Sequence, residues 1–295
     1  MDFKQLKKSS ASQFDELNAE LEKLNTKSER KNDERFWKPT TDKAKKGYAI
    51  IRFLPACAAE AAQKKPPFVR LFEHFFKGPS GSYYVENSLT TLGQPDPVGE
   101  SNQELWNSGG EGSPERKLAS SRKRNLKFIS NIYVVQDTLN PSTEGNVYLY
   151  KYGKKIFDKI VEARTPDPGE PVVDAFNLWD AGANFAVSIK EVEGYPNYDK
   201  SKFLTPGPLA DDKKLEAIYK KLYPLQPFLA PENFKSYDEL KAKLDRVLKV
   251  RGGVPGRATD LDTTEEGARP EKAAPSIPGD DGDDEGLAYF KSLTK

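Results

Sequence analysis

The segment from residue 120 to residue 160, SSRKRNLKFISNIYVVQDTLNPSTEGNVYLYKYGKKIFDKI, constrains the fold of this chain more than any other. Residues 126–135 are rich in β-branched and aromatic side chains and read as a strand. Pro141 and Gly145 punctuate the stretch 137–146, and 147–152 read as the returning strand, so the segment predicts a hairpin. Tyr148, Tyr150 and Tyr152 recur at a period of two and share one face of that strand. Arg122, Lys123, Arg124 and Lys127 open the hairpin; Lys151, Lys154 and Lys155 flank its tyrosines. Two readings are open. A tyrosine stripe serves as a half-buried sheet face, and a stripe lined by cations also offers rings to stack on bases and charge to meet phosphates.

Charge is distributed unevenly enough to matter. Residues 260–285 hold ten acids against two cations, a net of −8, and Lys291 and Lys295 restore two. The total of +1 therefore leaves +7 for the first 259 residues: a basic core precedes an acidic tail. The tail is rich in Gly and Pro and has no apolar spacing able to bury a face, which predicts disorder. No run of about 18 apolar residues predicts a membrane span, and the charged N-terminus lacks the apolar segment of a signal peptide. The expectation is a soluble cytoplasmic protein. One cysteine, Cys57, excludes an intrachain disulfide.

Along the chain, Lys4, Lys7 and Lys8 precede Ser9, Ser10 and Ser12, and Phe14, Leu17, Leu21 and Leu24 follow at helical spacing. This predicts a basic amphipathic arm, packed on its own domain or docked on a neighbouring molecule. Residues 48–54, YAIIRFL, form a strand whose one charge is Arg52, placed either against a sheet-edge acid or towards a phosphate. Residues 67–76 and 82–85 predict a hairpin across Gly78 and Gly81, and 93–114 read as a long mobile loop. A helix is expected over 153–163 and a strand over 184–192. Tyr195 and Tyr198 then occupy a Pro-containing loop beside Lys200 and Lys202. Helices follow over 211–222 and after Ser236, which forms a capping box with Glu239 ahead of Leu240, Leu244, Val247 and Leu248.

Catalysis finds little support. With His74 as its one histidine and Cys57 as its one cysteine, the chain builds no multi-histidine metal centre, and it has no phosphate loop of the GxxxxGK[ST] kind. The surroundings of His74 are strand-like and carry no nucleophile elbow. No acidic cluster falls in the core, so no enzyme is expected.

In the order of these features the chain resembles the single-stranded DNA-binding proteins of T-even-type bacteriophages, the gene-32-protein family. AIIRFLP at 49–55, EGNVYLYKYGKKIFDKI at 144–160 and GANFAVSIKEVEGYPNYDKSKF at 182–203 carry the resemblance, which extends over most of residues 36–250. It implies an α+β protein with an OB-fold-like β-barrel core and helical additions. The layout would be a basic cooperativity arm at 1–35, a DNA-binding core at 36–250 and a disordered acidic tail at 251–295. The implied function is cooperative, largely sequence-independent coating of single-stranded DNA during phage replication, recombination and repair, in the host bacterial cytoplasm. The alternatives are an RNA-binding translational regulator and a replication scaffold. By position, the resemblance places strand-lining aromatics at Phe128, Tyr150, Tyr195 and Tyr198, with Tyr148 and Tyr152 on the same strand face as Tyr150. Phosphate contacts would fall on Arg52, Arg122, Lys123 and Arg124. Lys7, Lys8, Ser9 and Ser10 match the motif for self-association along DNA, and the tail would bind replication and recombination proteins. The chain departs from the family where Asn125 follows Arg124 in the internal copy of that motif, and where Ile129 replaces an aromatic. It departs further at the zinc site: His74 matches the histidine, but Asn87 stands near the first cysteine position and Asp96, Pro97, Val98 and Gly99 replace a CPVC run. The expectation is no zinc and a looser loop.

Overall fold

A computed structural model of the protein describes residues 33–192 and 194–249. Two units are distinguished, Met1–Phe36 and Trp37–Lys295. Within the first, Arg35 grips Asp33, with Nη2 to Oδ2 at 2.6 Å. Lys7, Lys8, Ser9, Ser10 and the acidic tail lie outside the described residues.

Among the described residues, nine strands form the sheet: β1 Phe36–Trp37, β2 Gly47–Phe53, β3 Phe68–Lys77, β4 Tyr83–Asn87, β5 Asn125–Asp137, β6 Val147–Gly153, β7 Ala183–Val192, β8 Tyr195–Asn197 and β9 Lys202–Pro206. The thirteen residues of β5 outrun any one partner. Along one edge, Asn125 to Ser130 pair antiparallel with β3 and Ile132 to Asp137 with β2; β6 lies along the other edge. Past Ser130 the edge of β5 passes from β3 to β2, and β3 continues into its pairing with β4, so the β3–β4 hairpin branches off the main path. The main path runs β1-β6-β5-β2-β7-β8. Among the described residues no ladder joins its two ends, so the barrel closure implied by the resemblance is not among the observed pairings.

Six helices accompany the strands among the described residues: α1 Ala58–Ala62, α2 Pro97–Ser108, α3 Pro114–Ser121, α4 Lys154–Arg164, α5 Asp212–Tyr219 and α6 Tyr237–Leu248. The expected loop at 93–114 is therefore corrected to a helix and the start of another, entered from a 3-10 turn at Leu89–Leu92. The physical reason is capping. Asp96 accepts from the Val98 and Gly99 N–H groups with Pro97 at the first helical position, and Ser113 accepts from Arg116 N ahead of Pro114. Residues 194–203 are likewise more ordered than expected, because β8 and β9 both pair with β7. No helix among the described residues is long and apolar enough to cross a membrane.

Three apolar clusters among the described residues hold these elements. The largest lies under the main sheet and includes Trp37, Ile51, Phe53, Phe128, Tyr150, Tyr152 and Phe185. The second joins the hairpin to α2 and α6 through Phe76, Tyr84, Val98, Leu240, Leu244 and Val247. The capping box at Ser236 and Glu239 forms as the sequence predicts. Gly78 is required at the contact with α6, since a Cβ there would fall 2.2 Å from the Val247 carbonyl oxygen. A third cluster packs α5 on β5 and β6.

Candidate nucleic-acid interface

Between the diverging hairpin with α2 and α3 on one side, and β6 with α4 on the other, lies an open cleft of about 1060 Å³. Eight cations line it, Arg116, Lys117, Lys123, Arg124, Lys127, Lys151, Lys154 and Lys155, against two carboxylates, Glu73 and Glu111. Lys151 pairs with Glu73, Lys154 with Asp158 and Lys155 with Asp199. Among the described residues, Arg116, Lys117, Lys123, Arg124 and Lys127 make no ion pair, so no carboxylate neutralises them directly. Burial and the neighbouring Arg124 charge both pull the Arg70 guanidinium below its ordinary pKa, the signature of crowded cations.

Rings accompany the charge. Phe75, Trp106, Tyr150, Tyr152 and Tyr198 all contribute to the lining. Trp106 is the largest, 42% exposed, with the Arg116 guanidinium 4.8 Å and Lys123 Nζ 6.0 Å from its ring centre. Tyr150 and Tyr152 form a floor rather than a free stripe. Trp37 meets Tyr150 edge-on at 5.1 Å, and Tyr152 shares a 2.8 Å hydroxyl hydrogen bond with Ser130. Burial pushes both phenols above their ordinary pKa. Tyr150 and Tyr152, 2% and 3% exposed, are therefore corrected from stacking faces to the packed floor of the cleft, the sheet-face reading of the stripe.

Of the residues expected at the site, the structure brings Lys123, Arg124, Tyr150, Tyr152 and Tyr198 to the cleft. Phe128 is corrected: 1% exposed, it stacks on Phe157 at 4.0 Å while Tyr152 lies against it at 5.7 Å, leaving no face for a base. Ile129 is buried as well. Tyr148 packs half-buried against the main cluster, and Tyr195 sits on β8 beside Val192; neither lines the cleft. Arg122 is also corrected, being buried with its guanidinium 5.6 Å over the Phe76 ring.

Arg52 is the clearest correction. It is 1% exposed, and its guanidinium donates to the carbonyls of Asn177, Trp179 and Gly207 and to Asn184 Oδ1 at 2.7–3.4 Å. Burial lowers its pKa to about 10. Five donors in a fixed fork make arginine suited to pinning three separate segments, and this one ties β2 to the turns around β7 and β9. Arg52→Ala is expected to lower unfolding stability by roughly 2–4 kcal/mol by orphaning those acceptors, with single-strand affinity at low temperature unchanged. Urea midpoints together with binding at 10 °C check both halves; an affinity loss without a midpoint shift would restore the phosphate role.

His74 and Asp96, two of the positions at which the resemblance raises the question of zinc, share one buried hydrogen-bond network. His74, 2% exposed, has Nδ1 3.1 Å from the Arg122 carbonyl and Nε2 3.1 Å from Asp96 Oδ1. Asp96 also accepts from Ser88 Oγ and from the Leu89, Val98 and Gly99 N–H groups. Burial would push the Asp96 carboxyl up, yet the hydrogen bond and charge of His74, with Ser88 and Gly99, hold it down to about 2. Each ring nitrogen thus lies within hydrogen-bonding distance of an oxygen, one of the Arg122 carbonyl and one of the Asp96 carboxylate. No group of three His, Cys, Asp or Glu able to hold a metal occurs among the described residues. These residues do not fit a tetrahedral zinc.

Two rings of the cleft escape a reading of the sequence, Trp106 and Phe75, as do the cations Arg116 and Lys117 on α3. Trp106 falls in the expected loop, where only the Asp96–Pro97 cap signals a helix; Phe75 falls in the expected hairpin, where spacing alone does not say which face meets the cleft.

Comparison with known proteins assigns a family. Residues 45–248 match the family described as gp32 DNA binding protein like. The chain is similar to the single-stranded DNA-binding protein of Enterobacteria phage T4, 37% identical over 82% of this chain and 81% of the relative. It is also similar to that of Enterobacteria phage T2, 36% identical over 79% and 77%, and a stretch of 83 residues is 40% identical to the single-stranded DNA-binding protein of Escherichia phage SV14. The sheet, the basic cleft and these matches coincide over the same residues, and the chain belongs to the gp32-like family of DNA-binding proteins.

Proposed function

We propose that the chain binds single-stranded DNA stoichiometrically in this cleft, as its relatives' names state for them. The carrying observation is one concave surface on which cations outnumber acids eight to two around the exposed rings of Phe75 and Trp106 and the partly exposed ring of Tyr198. Cations gather phosphates while rings accept bases, and each stack contributes about 1–3 kcal/mol. A duplex hides those base faces, so binding favours the single strand and opens weak duplexes. The curved sheet serves as an oligonucleotide-binding-type platform. The arm at Lys7, Lys8, Ser9 and Ser10 makes coverage cooperative by docking on the next molecule. The acidic tail occupies the cleft without DNA, and when displaced it recruits proteins of replication, recombination and repair. No zinc takes part. The role is one of binding, in a family of binding proteins rather than enzymes.

One titration tests the reading. Intrinsic fluorescence is followed with poly(dT), poly(U) and duplex DNA at two salt concentrations, for the full chain and for chains lacking residues 1–12 or 251–295. Quenching by poly(dT), weakening with salt at a slope of about −0.7 per phosphate neutralised, is expected. Loss of the first 12 residues lowers affinity for long strands far more than for short ones, and loss of the tail tightens binding at low salt. Equal response to duplex would overturn the cleft reading; unchanged cooperativity or unchanged low-salt affinity would remove the arm or the tail from it. Tighter binding of poly(U) would favour the RNA regulator.

A further inference from the structure

The outward face of the β3–β4 hairpin carries two rings that the cleft does not use fully. Phe75 and Tyr83 are 51% and 55% exposed, stacked on each other with centroids 5.7 Å apart and planes 29° from parallel. The period of two explains why: His74, Phe76 and Tyr84 turn inward to α2 and α6, so Phe75, Lys77 and Tyr83 turn outward. Lys77 Nζ lies 5.9 Å from the Tyr83 ring centre. Phe75 lines the cleft and Tyr83 stands just beyond it, opposite Lys77 in the ladder. The nearby acids are already engaged, Glu73 with Lys151 and Glu86 with Lys235 and Lys243.

We propose that Phe75 and Tyr83, with Lys77, form an outer stacking subsite for the nucleotides of a single strand as it leaves the cleft. This rests on the reading of the cleft as a single-strand groove and adds to it a direction: the strand exits over the hairpin. Two features select a single strand over a protein partner. The platform is continuous with the basic cleft through Phe75, and its ring face is bordered by a cation with no unengaged carboxylate among its named neighbours, which suits a base followed by a phosphate.

The test measures affinity for oligothymidylates from about 4 to 16 nucleotides, the span of site sizes for such sheets, using the full chain and its Tyr83→Ala and Tyr83→Phe variants. Affinity of the unaltered chain should rise with length until the outer subsite is filled. Tyr83→Ala should bind the shorter oligomers as the unaltered chain does and the longer ones about 5- to 150-fold more weakly, and Tyr83→Phe, which keeps the ring, should restore the rise. Equal weakening at every length, or none at any, would overturn the subsite. Unchanged affinity with altered self-association in sedimentation would assign the rings to a contact between copies and also overturn it. Failure of the unaltered chain to bind any oligomer would instead overturn the cleft reading, and this inference with it.

Discussion

Replacing Lys117, Lys123 and Lys127 together by alanine should lower affinity for single-stranded DNA about 50-fold near 0.15 M salt. These three line the cleft and, among the described residues, form no ion pair, so removing them breaks no internal contact of that kind. Each phosphate neutralised on a single strand contributes about 0.7 to the salt slope. At that ionic strength this corresponds to about 0.8 kcal/mol per cation and about 2.4 kcal/mol for three. The slope itself should flatten by about 2. Trp106→Ala gives the complementary result: affinity falls by about 1–3 kcal/mol while the slope stays as it was, because a lost stack releases no counterions. Salt titrations of both variants with poly(dT) separate the two contributions. Should the lysine variant keep the full slope, the phosphate path runs elsewhere on the molecule.

The contrast between these residues and those expected from the sequence shows what a pattern reveals. The hairpin of β5 and β6, the start of α4 and the capping box of α6 all depend on local chemistry, and they appear where spacing and turn residues place them. Burial is a different matter. Period two assigns Tyr148, Tyr150 and Tyr152 to one face, but which face meets solvent depends on Trp37 and Ser130 from elsewhere in the chain. Arg52 carries the same difficulty further, since its acceptors lie 125 to 155 positions away in sequence, beyond any local signal. Phe128 is hidden by Phe157, a helical residue whose spacing says only that it faces a core. The helix α2 is legible in principle: Asp96, Pro97 and Glu100 are a start signal, masked by the glycines and prolines around them. Trp106, 42% exposed in the cleft, is hidden from a sequence reading by the same mask.

His74→Ala should lower the thermal midpoint by about 2–12 °C, the consequence of losing about 1–3 kcal/mol when a buried hydrogen-bonding partner is removed. The Asp96 carboxylate, buried among its N–H donors, would lose the imidazole, and so would the Arg122 carbonyl at the base of the basic cluster. The pair thus couples the second apolar cluster to the wall of the cleft, a task for which a metal would otherwise bring charge and fixed geometry. Two measurements follow. A strong zinc chelator should leave the midpoint unchanged; a large drop would mean that residues outside the pair complete a metal site. Acid should expose the carboxylate's contribution: because its folded pKa of about 2 lies below the ordinary 3.8, that stability is complete above the higher value and is lost as pH falls through the lower. In His74→Ala the carboxyl loses the partner that depresses it, so the stability lost between neutral pH and strong acid should be smaller than in the unaltered chain. An acid limb identical in the two proteins would show that Ser88 and the backbone donors, rather than His74, hold Asp96 ionised.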